Sequence, residues 1–223
     1  MGIEGPRRRI DSFAAVLWDM DGTLVDTEPY WTVAELALAE RYGGTWTPEQ
    51  SLQIVGFDLI DAARLMREQM GIDPSPEQIV EEMLDDVIAQ VGRQVPWRPG
   101  ARELLASLGE AGVRCGLVTM SWTRLVEPIL AHLPAGTFEA VVTGDTVQRG
   151  KPHPEPYLTA ARRLDVLAGE CLAIEDSDTG ARSAAGAGCT VLVAPLHVCV
   201  PAGPGRIFAD TLVGLTSSST LPA

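Results

Sequence analysis

The stretch Val16-Leu17-Trp18-Asp19-Met20-Asp21-Gly22-Thr23-Leu24-Val25-Asp26 decides the fold. An apolar run from Ala14 to Trp18 ends at two carboxylates one residue apart. A short apolar run bounded by turn signals reads as a buried strand. Side chains alternate along an extended chain, so Asp19 and Asp21 leave it on the same side. Gly22 then permits a sharp turn or a close backbone approach to a ligand. Facing carboxylates repel unless a cation lies between them or one keeps its proton. Chemistry uses both arrangements: one carboxylate attacks an electrophile while the other carries a proton. The plain alternative is an Asp-Gly turn between strand and helix.

Outward from this stretch the chain changes character twice. A helix is expected from about Glu28 to Tyr42, with Pro29 in its first turn and Gly43-Gly44 as its stop. Trp31, Ala34, Leu38 and Tyr42 recur in it at helical spacing. A second helix begins near Pro48, a third covers about Asp58 to Met70, and a fourth runs from Ser75-Pro76-Glu77 to about Val91. No strand pattern appears between Glu28 and Val91. After Trp97 the rhythm is helix and strand in alternation: strands Val113–Thr119, Glu139–Val142, Cys171–Ile174 and Thr190–Val193, with helices Ala101–Ala111, Thr123–His132, Pro154–Leu164 and Asp178–Ala187. That alternation means parallel βαβ units. The expected fold is α/β: a three-layer, Rossmann-like parallel-sheet core (residues 1–27 and 97–223) with an inserted α-helical cap (residues 28–96). Such an insertion sits over the ligand-binding end of the sheet and is placed to act as a lid. Residues before Ser12 read as a loose basic tail. The segment from Pro201 reads as irregular, with one short strand at Ala209–Val213.

Composition bounds the partners. The chain has 223 residues, 46% of them hydrophobic and 21% charged, with a formal net charge of −13. This suits a globular core and disfavours nucleic acid or anionic membrane as partners. A phosphate site in such a chain must supply its own local positive charge. Cys115, Cys171, Cys189 and Cys199 form no CxxC pair, and only three histidines are present, which speaks against zinc. Cys115 and Cys171 read as buried thiols, consistent with a reducing cytoplasm. Arg7-Arg8-Arg9 is not followed by an unbroken apolar run, so neither a signal peptide nor a membrane span is expected.

Three further clusters fall at strand ends. In Gly116-Leu117-Val118-Thr119-Met120-Ser121, hydroxyls and backbone N–H groups can hold an anion; helix capping by Ser121 or Thr123 is the alternative. In Arg149-Gly150-Lys151-Pro152-His153-Pro154, special backbone positions surround one lysine. That lysine can pair with a nucleophilic carboxylate and with phosphate, or be a solvated loop residue. In Ile174-Glu175-Asp176-Ser177-Asp178-Thr179-Gly180, the acids are oxygen ligands of the kind Mg²⁺ takes, or helix caps.

In this order the four clusters resemble the motifs of the haloacid dehalogenase (HAD) superfamily, over roughly the whole chain from the first strand to Val193. The helical insertion resembles the small cap of the phosphatase and β-phosphoglucomutase subgroup, and Asp26-Thr27-Glu28-Pro29 its beginning. The resemblance implies Asp19 as nucleophile, through an aspartyl phosphate, and Asp21 as general acid and base. It implies Mg²⁺ on the Asp19 carboxylate, the Asp21 backbone carbonyl and Asp176, with Glu175 close by. Thr119 and Lys151, with Ser121, would bind the phosphoryl group, and Trp31 on the cap would meet the substrate. One Mg²⁺ and one lysine offset the repulsion between a phosphoester and a carboxylate nucleophile.

Departures from the family pattern choose the branch. Dehalogenases and phosphonatases lack the second aspartate, which is present here as Asp21. Mutases carry a histidine near the position of Trp31 and an arginine after the glycine matching Gly56. This chain has Trp31, and Phe57-Asp58-Leu59 after Gly56. The expectation is a Mg²⁺-dependent phosphatase for a small phosphorylated sugar or polyol, cytoplasmic, with a monomer slightly favoured. A β-phosphoglucomutase-type isomerase is the alternative, and a non-catalytic HAD-like binding protein the more distant one. Trp31, Phe57 and Trp97 are read as lid contacts or as packing.

Overall fold

The computed structural model describes residues 7–222. In chain order they form β1 (Arg7–Arg9), β2 (Ala15–Trp18), α1 (Glu28–Tyr42), α2 (Pro48–Ser51), α3 (Leu59–Met70), α4 (Pro76–Val91), α5 (Ala101–Glu110) and β3 (Cys115–Val118). There follow α6 (Thr123–Leu130), β4 (Ala140–Val142), α7 (Glu155–Arg163), β5 (Cys171–Glu175), α8 (Asp178–Ala187), β6 (Thr190–Val193), β7 (Arg206–Phe208) and β8 (Thr220–Pro222). Six strands make one parallel sheet in the order β4-β3-β2-β5-β6-β7.

The sequence of β2 explains its place. All four of its residues are buried. A parallel strand covered on both faces reads as a continuous apolar run rather than an alternating one. Val16 and Trp18 pack with Leu104, Leu108, Leu125 and Ile129 of α5 and α6. Ala15 and Leu17 face the other way, into Tyr157, Ala160, Ala181 and Ala184 of α7 and α8. The result is three layers. From β2 the chain runs outward through β3 and β4, then returns to the other side for β5, β6 and β7. Ligands of open α/β sheets bind beyond the strand C-termini at such a reversal. Asp19 and Glu175 lie there.

Helices α1 to α4 form between β2 and α5 for local reasons. The Asp58 carboxylate caps α3, accepting from Ile60 N at 3.0 Å and Asp61 N at 3.4 Å. Ser75 and Gln78 form a reciprocal capping box on α4. Gly43 ends α1 in the left-handed region, at φ 69°. The apolar faces of α1 and α3 pack on α4, burying Trp31, Leu38, Met66, Val80, Met83 and Val87. The helical group rests on the sheet-bearing part at α4 and α6, where Arg124 pairs with Glu81 and Asp85. Gly56 packs on Ser177. Among the described residues no helix is long and apolar enough to cross a membrane.

The chain ends differ from expectation. Arg7–Arg9 is not a loose tail: it pairs antiparallel with Thr220–Pro222. The Arg side chains are spent on neighbours, Arg8 over the Phe13 ring and Arg9 on Asp11, while the backbone ladder orders the segment. The residues before Arg7 lie outside the described ones. The expected strand at Ala209–Val213 falls instead at Arg206–Phe208, beside β6. Ile207 and Phe208 are stronger strand formers than the Asp210-containing stretch. Elsewhere the elements match with boundary shifts of one or two residues; the shift that matters extends β5 by one residue, to Glu175. Cys115 and Cys171 are buried, and burial pushes Cys171 up to about 11 and Cys115 to about 12.

Two crossings join the helical group to the sheet. Asp26 N donates to Pro96 O at 2.7 Å and Arg98 N to Leu24 O at 3.0 Å. Arg98 is a buried cation that spends its donors on carbonyls: Gly22 O at 2.5 Å, Ala194 O at 2.6 Å and Pro195 O at 3.1 Å. It ties the second crossing to the loop after β2. Leaving buried carbonyls without donors costs ~1–3 kcal/mol each. Arg98→Ala is therefore expected to lose at least ~2 kcal/mol, a fall in Tm of roughly 4–8 °C for a chain of this size. Thermal unfolding followed by circular dichroism checks this.

Candidate active site

The ends of β2, β3 and β5 and the loop before α7 converge on one cavity. It is lined by Asp19, Asp21, Thr119, Ser121 and Lys151 from the sheet side and by Trp31, Glu28 and Glu35 from α1. Its centre is Lys151. The Nζ donates at 2.6 Å to Asp19 Oδ1 and at 2.6 Å to Glu175 Oε1. Lys151 is 6% exposed, Asp19 5% and Glu175 0%, so this is a buried ion triad. Burial works to lower the ammonium, but the two carboxylates outweigh it and hold Lys151 raised. Tyr157 donates its hydroxyl to the same Glu175 Oε1.

Asp176 completes an acidic group. Oxygens of Asp19, Glu175 and Asp176 lie within 4.8 Å of one another. Asp176 Oδ1 accepts weakly from Thr23, at 3.5 Å, and Oδ2 has no hydrogen-bond partner. A buried carboxylate oxygen without a donor is costly. Gly22, at φ 82°, makes room for it: a Cβ there would overlap Asp176 Oδ2. Burial first, then Glu175 beside it, pushes Asp19 up to about 7. Burial and Asp19 raise Asp176 well above the ordinary carboxylate range. Three carboxylates share one ammonium. Fully ionised, they would leave two negative charges over, and a hard divalent cation would balance them with the oxygen ligands it prefers. The donor set fits such an ion.

Asp21 stands apart from this group. Its Oδ2 accepts from Ser121 Oγ at 2.8 Å and Thr119 Oγ1 at 3.1 Å. Its Oδ1 accepts from Thr27 Oγ1 at 2.5 Å and, at the limit, from Trp31 Nε1 at 3.5 Å. The expected site residues thus come together, in two clusters. Asp19, Lys151, Glu175 and Asp176 form one; Asp21, Thr119, Ser121 and Trp31 form the other. The helix-capping alternatives do not hold. Ser121 is bonded to Asp21, α6 starts without a side-chain cap, and Ser177 caps α8 by accepting from Gly180 N at 3.1 Å. Phe57 lines the cavity, whereas Trp97 lies outside it beneath Arg102. Asp58 caps α3 and packs on Gly150 rather than lining the cavity.

Sequence reasoning missed Tyr157, Glu28 and Glu35. Tyr157 carries no sequence signal as a partner of Glu175. Glu28 reads as an ordinary acid in a first helical turn. Glu35 had a signal: it sits four residues after Trp31 and beside Ala34, on the buried face of α1. Its Oε2 accepts from Trp46 Nε1 at 3.0 Å. Burial raises it despite the Ser51 and Trp46 donors. Burial, with Asp21 and Glu35 nearby, pushes Glu28 up to about 8.

The fold and site define a three-layer α/β enzyme core with helices closing the strand ends. Residues 16–194 match the haloacid dehalogenase-like hydrolase family, and the chain belongs to it. It is 30% identical over 184 residues to a phosphorylated carbohydrates phosphatase of Thermotoga maritima, covering 82% of this chain and 85% of that one. It is 32% identical over 170 residues to hexitol phosphatase B of Escherichia coli, covering 74% and 76%. A crystal structure of CbbY from Rhodobacter sphaeroides in complex with xylulose-(1,5)bisphosphate superimposes with a TM-score of 0.79, at 27% identity, over 91% and 96% of the two chains.

The raised carboxylates make stability depend on pH. An acid whose folded pKa exceeds its unfolded value takes up protons on folding, so it favours the fold at low pH and less as pH rises through the folded pKa. With Asp19 up to about 7, metal-free protein is expected to lose Tm between about pH 4 and pH 7. Millimolar Mg²⁺ should restore more of it at neutral than at acid pH. Thermal shift in EDTA and in Mg²⁺ across pH checks both.

Proposed function

We propose that this phosphoric monoester hydrolase cleaves a small sugar or polyol monophosphate in two steps at Asp19, with Mg²⁺ as cofactor. The observation that carries the reading is a buried carboxylate, Asp19, bound to Lys151 beside a second carboxylate, Asp21, that accepts from three hydroxyls. Asp19 and Asp176, with Glu175 close by and the Asp21 carbonyl, would hold the ion. When bound, it neutralises the acidic group and draws charge from the phosphoryl oxygens. Lys151 keeps Asp19 aimed at the cavity and stabilises negative charge as the phosphorus is attacked. Thr119 and Ser121 turn their hydroxyls from Asp21 to the phosphoryl group. An Asp19 oxygen bonds to phosphorus and the ester P–O bond breaks, while Asp21 gives its proton to the leaving oxygen. Asp21 then takes a proton from water. That water attacks the aspartyl phosphate, phosphate leaves, and the Asp19 carboxylate is restored.

Residues 28–96 act as the cap. The cavity is about 60 Å³, room for roughly four waters at ~15 Å³ each. A phosphorylated sugar therefore reaches Asp19 only when α1–α4 move away. The crossings at Asp26–Pro96 and Leu24–Arg98 are the places where that hinge motion is absorbed. The named phosphatase relatives support the substrate class. A β-phosphoglucomutase-type isomerase is not favoured. Its intermediate carries two phosphates, and among the described residues Lys151 is the one cation lining the cavity.

Asp19→Asn is expected to abolish turnover and keep the fold, since an amide is a poor nucleophile. Lys151→Ala is expected to cost about 2.7–4 kcal/mol of transition-state stabilisation, seen in kcat. A loss confined to KM contradicts that role. Phosphate release from p-nitrophenyl phosphate and from a hexose phosphate panel, with Mg²⁺ or EDTA, measures all of these. Activity retained in EDTA removes the metal from the reading. Conversion of β-glucose phosphate to its isomer without free phosphate favours the mutase.

A further inference from the structure

The far wall of the cavity is formed by α1. Glu35 is 4% exposed, held by Trp46, and faces the cavity together with Ser51 and Glu28. Glu28 lies nearer the aspartates, whose charge acts on it; Glu35 lies deeper in the helical group. Trp31, between them, offers an apolar face. Lys151, committed to Asp19 and Glu175, is the one cation in this lining among the described residues.

We infer that the α1 wall selects a substrate whose end remote from the phosphate is an uncharged hydroxyl-bearing carbon chain, with Glu35 and Glu28 as the groups that bind its hydroxyls and reject a second anion. The inference rests on the phosphatase reading and deepens it. A second phosphate or a carboxylate brought against this wall would be desolvated with no counter-ion. That holds in either protonation state, because neither glutamic acid nor glutamate supplies positive charge. A hydroxyl both donates and accepts, and a carboxyl group answers it in both states. An ammonium end would gain from a carboxylate only if that carboxylate stays ionised, and burial works against ionisation at Glu35. The structural neighbour CbbY is seen with a bisphosphate. This chain is assigned the opposite preference on its own lining.

The test compares four compounds of one chain length with Mg²⁺ present: a hexitol phosphate, the aldonate phosphate, the hexitol bisphosphate and the terminal amino-hexitol phosphate. Wild-type kcat/KM is expected to favour the hexitol phosphate over both anionic analogues by about a hundredfold or more. Glu28→Lys, which brings the missing cation to this wall, is expected to shrink the preference over the aldonate by about tenfold, and Glu35→Lys to shrink it in the same direction. Wild-type rates within about threefold for the anionic analogues overturn the inference, as does a tenfold preference for the amine. A ratio unchanged in both folded variants also overturns it. The wild-type comparison stands whether or not the variants fold. Failure to release phosphate from any of the four, or from p-nitrophenyl phosphate, contradicts the phosphatase reading itself and takes the selectivity with it.

Discussion

The ion triad of Lys151 with Asp19 and Glu175 is the constraint the rest of the structure serves. An ammonium and two carboxylates taken out of water are costly unless geometry and further hydrogen bonds compensate. Each neighbouring element contributes part of that compensation. Strands β2 and β5 bring the two acids to the C-terminal end of the sheet, each just past the paired residues Trp18 and Ile174. Tyr157, from the far side of the sheet, adds a donor to Glu175. Gly180 leaves space that a side chain would deny to Glu175. The lysine comes from a loop placed by β4 and α7.

The triad is compensated only in part, and function follows from the shortfall. Asp176 adds a third carboxylate with an unpartnered oxygen, and the acids are driven upward by burial. Such a group stores an unmet demand for positive charge. A hard divalent cation would meet that demand with the oxygen ligands it prefers. Asp21 is kept out of this cluster by Thr27, Thr119 and Ser121. Asp19 and Asp21, with one residue between them, thus occupy different environments.

The helical group over the site follows a different logic. Its internal packing is mainly apolar, and its hold on α6 includes exposed ion pairs of Arg124 with Glu81 and Asp85. Exposed pairs are worth little each, up to about 1 kcal/mol. The small cavity beneath takes part of its charge from Glu28 and Glu35 of α1.

Much of this was legible in the chain. Buried parallel strands announce themselves as continuous apolar runs, helices by their caps and glycine stops, and the alternation after Trp97 dictates a parallel sheet. Asp19, Asp21, Thr119, Lys151, Glu175 and Asp176 were legible because each ends a strand or sits in a loop of special geometry, where local sequence and chemistry coincide. The pairing of β1 with β8 was not legible, since three arginines and Thr220–Pro222 carry no mutual signal until the termini meet. Nor was the sorting of the carboxylates: which acid takes the lysine, which is left without a donor and which faces the hydroxyls depends on distances across four segments. Glu35 shows the boundary most clearly. The sequence alone places it on a buried helix face, but that this face closes on Asp19 and Lys151 is a fact of helix packing over the sheet edge, which only the tertiary structure decides.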